Sequence, residues 1–215
     1  MSTTRTVSPL PATRGASTWR VPLALVALSL IPVIAGAVRL TDVSTGSTHM
    51  PQDAHHPDVP VALIVHIVSA TAYSLLGAFQ FSAGIRRRRP GWHRAAGRIL
   101  VPLGLAVALS ALWLTLVYPT EVNTGPLLYW SRVIFALAMA ACLVLGLITV
   151  RARNFRAHRA WMIRAYAIGL AEATLGTSTP VMDAATAAGW AVNLAVAELI
   201  VRRPHARRPA RGVAR

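Results

Sequence analysis

The chain has few charged residues and contains no lysine. Only 13% of its 215 residues are charged and 54% are hydrophobic; the charged share is about half of that in soluble domains. This composition excludes intrinsic disorder, which requires low hydrophobicity. All 22 basic residues are arginines, set in short clusters between apolar runs, whereas a nucleic-acid-binding domain spreads its basic face over a soluble fold. We therefore expect a lipid bilayer as partner and no nucleic acid.

The sequence also lacks disulfides and the common catalytic motifs. Its single cysteine, Cys142, lies in an apolar run and is interpreted as a small buried hydrophobic residue. No P-loop, nucleophile elbow, HExxH motif or dinucleotide fingerprint occurs. Hydrolase and kinase chemistry therefore have no support, and a non-enzymatic role is favoured.

The most prominent feature of the sequence is a set of six apolar segments, at residues 21–38, 59–85, 99–118, 127–150, 165–182 and 184–201. Each is about long enough to cross roughly 30 Å of hydrocarbon as a helix. We predict an all-α polytopic membrane protein, with a bundle of about six transmembrane helices over residues 19–203. Residues 1–18 and the arginine-rich tail 204–215 are expected to be disordered. A re-entrant hairpin is the alternative for 165–182, and a cleaved signal peptide is the alternative for 21–38.

The distribution of arginine predicts the orientation. Twenty arginines lie on one predicted side of the membrane: before the first segment, between segments two and three, between segments four and five, and after the sixth. Arg39 and Arg132 lie near the other side. By the positive-inside rule both termini are expected in the cytoplasm of a bacterial cell, with the protein in the cell inner membrane. The arginine-rich inner loops are expected to contact anionic headgroups, and a homo-oligomer is a further expectation.

A short motif occurs twice at this boundary. "RRRRPGWHRAAGR" and "RARNFRAHRAWMIR" both place His–Arg–Ala before a final arginine, which suggests an internal duplication of helices two and three as helices four and five. Three interpretations of His93 and His158 stay open: binding of lipid phosphate, hydrogen bonds that lock the two hairpins, and axial ligation of haem b. The inner-face motif consists of His93, Arg94, Gly97, Arg98, His158, Arg159 and Arg164.

Around these motifs the sequence resembles a family of bacterial predicted membrane proteins, domain of unknown function 2306 (DUF2306). The resemblance covers residues 61–203. It rests on His66, the "GAFQF" stretch, "HRAAGR", "HRAWMIRAY" and the spacing of Trp190, Asn193 and Glu198. It implies a multi-spanning membrane protein and supplies no activity. The histidine-bearing outer loop and Glu172 are not part of the resemblance.

Helix two carries a stripe of polar or small residues at steps of three or four: His66, Ser69, Ala70, Tyr73, Gly77, Gln80 and Gly84. In lipid this face turns toward other helices, as a packing seam or as the wall of a ligand, cofactor or proton site. His66, roughly 9 Å deep at the helical rise, needs a partner. The alternatives are Glu172, Arg132, a metal, or a hydroxyl group on another helix. The candidate intramembrane site consists of His66, Tyr73, Gln80 and Glu172.

Three further features have local interpretations. Glu172, about eight residues into the fifth segment, suggests a proton or ion path if it is not simply protonated or paired. His49, His55 and His56 are candidate ligands for Zn or Cu; the alternative is a solvated polar loop. Glu198 is expected to pair with Arg202, one helical turn away.

The leading functional hypothesis is a non-enzymatic protein that binds a small ligand or lipid, or acts like a transporter, with an intramembrane polar site. One rival is a haem-binding electron-transfer protein that uses His66, His93 and His158. Another is a structural partner protein that associates through the helix-two seam.

Overall fold

The computed structural model describes residues 19–45, 61–117, 125–171 and 180–203, which contain seven helices and no strand. The helices are α1 Arg20–Thr45, α2 Val61–Gln80, α3 Ala83–Arg88, α4 Pro90–Val117, α5 Pro126–Arg151, α6 Phe155–Gly169 and α7 Pro180–Arg202. The predicted all-α architecture is confirmed.

Five helices in the described part of the chain are long and apolar enough to cross a membrane: α1, α2, α4, α5 and the stretch Ala184–Arg202 of α7. Large apolar side chains point outward along them; Leu23 is 64% exposed, Leu109 59% and Leu199 63%. Exposed apolar area on this scale is typical of a surface that contacts lipid. The chain is therefore a polytopic membrane protein.

Three predicted boundaries are wrong. The second segment ends as a helix at Gln80 rather than continuing to residue 85, because Ser82 caps the separate short helix α3. The third begins at Pro90, not at residue 99, since proline is favoured at the first helical position. The fifth begins at Phe155, not at residue 165. With 15 residues, the described α6 is about 22 Å long at the helical rise and is not one of the five spans.

Four helices form the core of the bundle. α2 packs against α4, α4 against α5, α5 against α6, and α6 closes the ring on α2. The α2–α4 and α5–α6 pairs pack most extensively, and they correspond to the two predicted hairpins. The centre of the ring is filled by buried side chains that include Tyr73, Met139, Leu143 and Tyr166. Among the described helices, α1 packs mainly along α2, and its residues Leu25 and Ser29 also reach the core, where Ser29 interacts with Tyr166 of α6; α7 lies against α5 and α6.

Most of the described arginines lie at one end of the helix bundle. Trp19, just before α1, lies with its ring centroid 6.5 Å from that of Phe79 near the end of α2, and Arg164, the tenth residue of α6, pairs with Glu198 near the end of α7. We call this the arginine-rich end. Of the sixteen arginines in the described residues, fourteen belong to it: Arg20, Arg86, Arg87, Arg88, Arg89, Arg94, Arg98, Arg151, Arg153, Arg156, Arg159, Arg164, Arg202 and Arg203.

Candidate functional site

The first His–Arg motif is positioned by the turn between α2 and α4. The Ser82 hydroxyl oxygen accepts a hydrogen bond from the Ile85 backbone amide at 3.3 Å, which caps α3. The Arg89 amide then bonds the Ile85 carbonyl and ends α3, and α4 begins at once with Pro90. His93 is therefore the fourth residue of α4, close to the arginines of α3.

The second motif is positioned by the tight turn between α5 and α6. Arg153 adopts a φ of 57°, in the left-handed region that non-glycine residues adopt infrequently. The Asn154 side-chain oxygen then accepts a hydrogen bond from the Ala157 amide at 3.0 Å and caps α6. His158 is the fourth residue of α6, as His93 is of α4. Its Nδ1 donates to the Gly146 carbonyl at 2.8 Å, since a carbonyl only accepts, and this bond fixes the ring on α5.

The two motifs meet at a group of four residues that we call the basic cluster: Arg86, His93, His158 and Arg159. His93 interacts electrostatically with Arg86 and His158, and Arg86 interacts with Arg159. Partial burial lowers the pKa of Arg86, and repulsion from Arg159 and Arg87 lowers it further. The fold thus holds like charges together at a boundary that is not fully solvated.

The carboxylate at this end is already engaged. Among described side chains, Glu198 is the one acidic group at the arginine-rich end. Its Oε2 accepts from Arg164 at 2.7 Å and its Oε1 accepts from Arg202 at 2.7 Å. The Arg164 guanidinium also lies over the Trp161 ring, 4.9 Å from the centroid. Glu198 therefore ties α6 to α7 in addition to forming the expected pair with Arg202, and among the described residues no carboxylate pairs with the basic cluster.

The other residues of the inner-face motif are more open. Arg94 and Arg98 are exposed, and a side chain added at Gly97 would meet no atom within 4 Å. They lie at the arginine-rich end as expected, but they make no described hydrogen bond that would fix them beside His93.

His66 lies in the opposite half of the bundle. Its Nδ1 is 3.2 Å from the Val107 carbonyl and 3.1 Å from the Ser110 hydroxyl oxygen. The Ser110 hydroxyl donates to the Ala106 carbonyl at 2.5 Å, so it accepts from His66. His66 of α2 is thus hydrogen-bonded through Nδ1 to a serine on the neighbouring helix α4.

The remaining residues of the α2 stripe mainly pack. Tyr73 is buried, and a side chain added at Gly104 would clash with its ring. Gly77 lies directly under the Tyr166 ring, whose hydroxyl donates to the Ser74 carbonyl at 2.6 Å. Nε2 of Gln80 is buried and makes no hydrogen bond with the described residues. The stripe is thus largely covered by α4 and α6 of the same chain.

The three histidines do not converge on one group. His93 and Val107 are fourteen residues apart on α4, which separates His66 from the basic cluster by about 21 Å at the helical rise. No group of three or more His, Cys, Asp or Glu side chains that could hold a metal ion occurs in the described ranges. His49, His55, His56 and Glu172 lie outside the described residues.

Sequence reasoning did not identify the roles of Arg86, Ser110 and Tyr166. Arg86 is one of four consecutive arginines, and nothing in that run distinguishes it. Ser110 lies 44 residues from His66 and Tyr166 lies 92 residues from Ser74. Only the "HRAWMIRAY" motif, which includes Tyr166, carried a signal.

One comparison with known proteins gives a match. The family model described as a predicted membrane protein, DUF2306, matches residues 63–201, more than half of the chain. No curated protein and no solved structure matches.

Proposed function

Since the chain belongs to the DUF2306 family of predicted membrane proteins, we propose that it is a non-enzymatic protein that binds the phosphate of anionic lipid headgroups through the basic cluster. Basic pockets between transmembrane helices at the cytoplasmic face are suited to such headgroups. Among the interpretations of His93 and His158, this one accounts for the neighbouring Arg86 and Arg159 as well.

A single observation carries this proposal. Four groups that are cationic or can become cationic are held together at the arginine-rich end, while the described carboxylate there is bound by Arg164 and Arg202. Bringing like charges together costs free energy unless an anion compensates them. Arginine offers several N–H donors in a planar fork that matches phosphate geometry, and phosphate is the abundant anion at a membrane surface.

The proposal includes an orientation. The arginine-rich end faces the cytoplasm of a bacterial cell, both termini are cytoplasmic, and the protein lies in the cell membrane, because arginine accumulates on the cytoplasmic side. A topology reporter fused after Arg215 is expected to show a cytoplasmic C-terminus. A periplasmic signal would mean that the basic cluster does not face the anionic inner leaflet, and it would contradict this part of the proposal.

Lipid binding can be measured directly. The purified protein in a neutral detergent is titrated with phosphatidylglycerol or phosphatidylcholine, and bound lipid is counted by native mass spectrometry. We expect retention of phosphatidylglycerol only. An arginine near an anionic surface contributes about 1 kcal/mol, so Arg86→Gln and Arg159→Gln should each weaken binding about fivefold.

Arg203→Gln is the matched control, since it removes an arginine from the same end but outside the basic cluster. Equal losses in Arg203→Gln and the cluster variants would show general surface attraction and contradict a site. An absorption spectrum of the same sample tests the haem alternative. A Soret band that disappears in His158→Ala would show that His158 binds haem, and it would contradict lipid phosphate as the ligand.

A further inference from the structure

The two halves of the basic cluster are built alike. His93 and His158 are each the fourth residue of their helix; the first half takes its arginine, Arg86, from α3, and the second takes Arg159, the residue after His158. Both helices begin at the same end of the bundle. A helix start favours an anion because the helix dipole is positive there. Each half therefore combines a helix start, an imidazole and at least one guanidinium.

Both histidines lie on the inward faces of their helices. His93 is in register with Leu100, and His158 is in register with Ala165; residues seven apart share a helical face. Leu100 and Ala165 are both buried. The two halves therefore face each other across the bundle.

The positive charge of the basic cluster indicates how many phosphate groups it can bind. Arginine is cationic at neutral pH, so Arg86 and Arg159 bring two positive charges to the basic cluster, and Arg87 adds a further one beside Arg86. A phosphodiester carries one negative charge, so a lipid with one phosphate leaves at least one arginine uncompensated. A lipid with two phosphodiesters balances both Arg86 and Arg159.

From this arrangement we infer that the basic cluster binds a lipid with two phosphate groups, one phosphate at the start of α4 and the other at the start of α6. The inference rests on the proposed function and names its ligand class. Trp92 and Ile99 are exposed on α4 beside the cluster, 37% and 55% respectively. They offer apolar surface where acyl chains would run, which favours a lipid over a soluble diphosphate.

The test compares diphosphatidylglycerol with phosphatidylglycerol at equal phosphate concentration, using the full chain in neutral detergent and native mass spectrometry. Because the second phosphate binds at a high effective concentration, the two-phosphate lipid should bind about tenfold more tightly or better. Arg86→Gln or Arg159→Gln should each reduce this preference to about that of phosphatidylglycerol. Arg86→Lys should retain much of it, and Arg203→Gln should retain all of it. Circular dichroism of each variant verifies that the helices are intact.

The outcomes separate the two proposals. Equal affinity per phosphate for the two lipids would overturn the two-phosphate inference and leave headgroup binding standing. Binding of neither lipid would overturn both. Displacement of diphosphatidylglycerol by an equal concentration of inorganic diphosphate would overturn the assignment to a lipid, because a soluble ligand gains nothing from the exposed apolar surface.

Discussion

A single methyl group at Gly77 should separate α2 from α6. A Cβ atom at this position would lie 2.9 Å from Cδ2 of Tyr166 and nearer still to Cε2. The ring cannot simply turn away, since its hydroxyl is held by the Ser74 carbonyl at 2.6 Å and Phe81 lies 4.8 Å from it, centroid to centroid. Gly77→Ala therefore requires the ring or a helix to move.

The magnitude follows from three contributions. Overpacking a tight core costs about 1–3 kcal/mol. Loss of the Tyr166–Ser74 hydrogen bond costs about 0.5–1.5 kcal/mol. The higher helix propensity of alanine returns about 1 kcal/mol. We expect Gly77→Ala to lower the free energy of unfolding by about 2 kcal/mol.

Equilibrium unfolding in detergent, followed by circular dichroism, measures this change. Gly97→Ala is the control, since no atom lies within 4 Å of its added Cβ; it should leave stability unchanged or raise it by up to about 1 kcal/mol. In a Tyr166→Ala background the penalty at Gly77 should vanish. If Gly77→Ala proves as stable as Gly97→Ala in the native background, the close approach of α2 and α6 is refuted.

Three further substitutions test other contacts by the same unfolding measurement. Gln80→Leu removes a buried donor without a described partner, so it should raise stability by about 1–3 kcal/mol; a loss would show that the amide is bonded. Ser110→Ala removes an acceptor of His66 and should cost about 0.5–1.5 kcal/mol, and no change would mean that the Val107 carbonyl suffices. Glu198→Gln should lower the melting temperature more than Arg202→Gln, because it also breaks the link between α6 and α7; equal shifts would contradict that link.

Hydropathy predicts the long helices and misses the short ones. The apolar runs of α1, α2, α4 and α5 are visible in the sequence because lipid selects their composition. The start of α6 is polar, "FRAHRAWMIR", and its helical structure depends on the Asn154 cap and on packing against α5, which a hydropathy pattern does not contain. For the same reason the break at Ser82 that creates α3 is missed.

The contacts of the candidate site also fall into those that the sequence predicts and those that it does not. Local spacing predicts that His93 and His158 occupy corresponding positions and that Glu198 pairs with Arg202, since each relation lies within one motif or one helical turn. Contacts between distant segments are not encoded in spacing. The bond of His66 to Ser110, the pairing of Arg164 with Glu198 and the approach of Arg86 to Arg159 all depend on how the helices pack.

The peripheral position of α1 has a consequence for how the protein is built. The helices that enclose the core all lie within the matched range 63–201, apart from the first two residues of α2 and the last of α7, whereas α1 lies before it, packs mainly along α2 and reaches Tyr166 through Ser29. Its removal would uncover one flank of α2 and leave the central ring closed. We therefore expect α1 to act as an additional hydrophobic anchor beside α2, while the range matched by the family model contains the four helices of the ring.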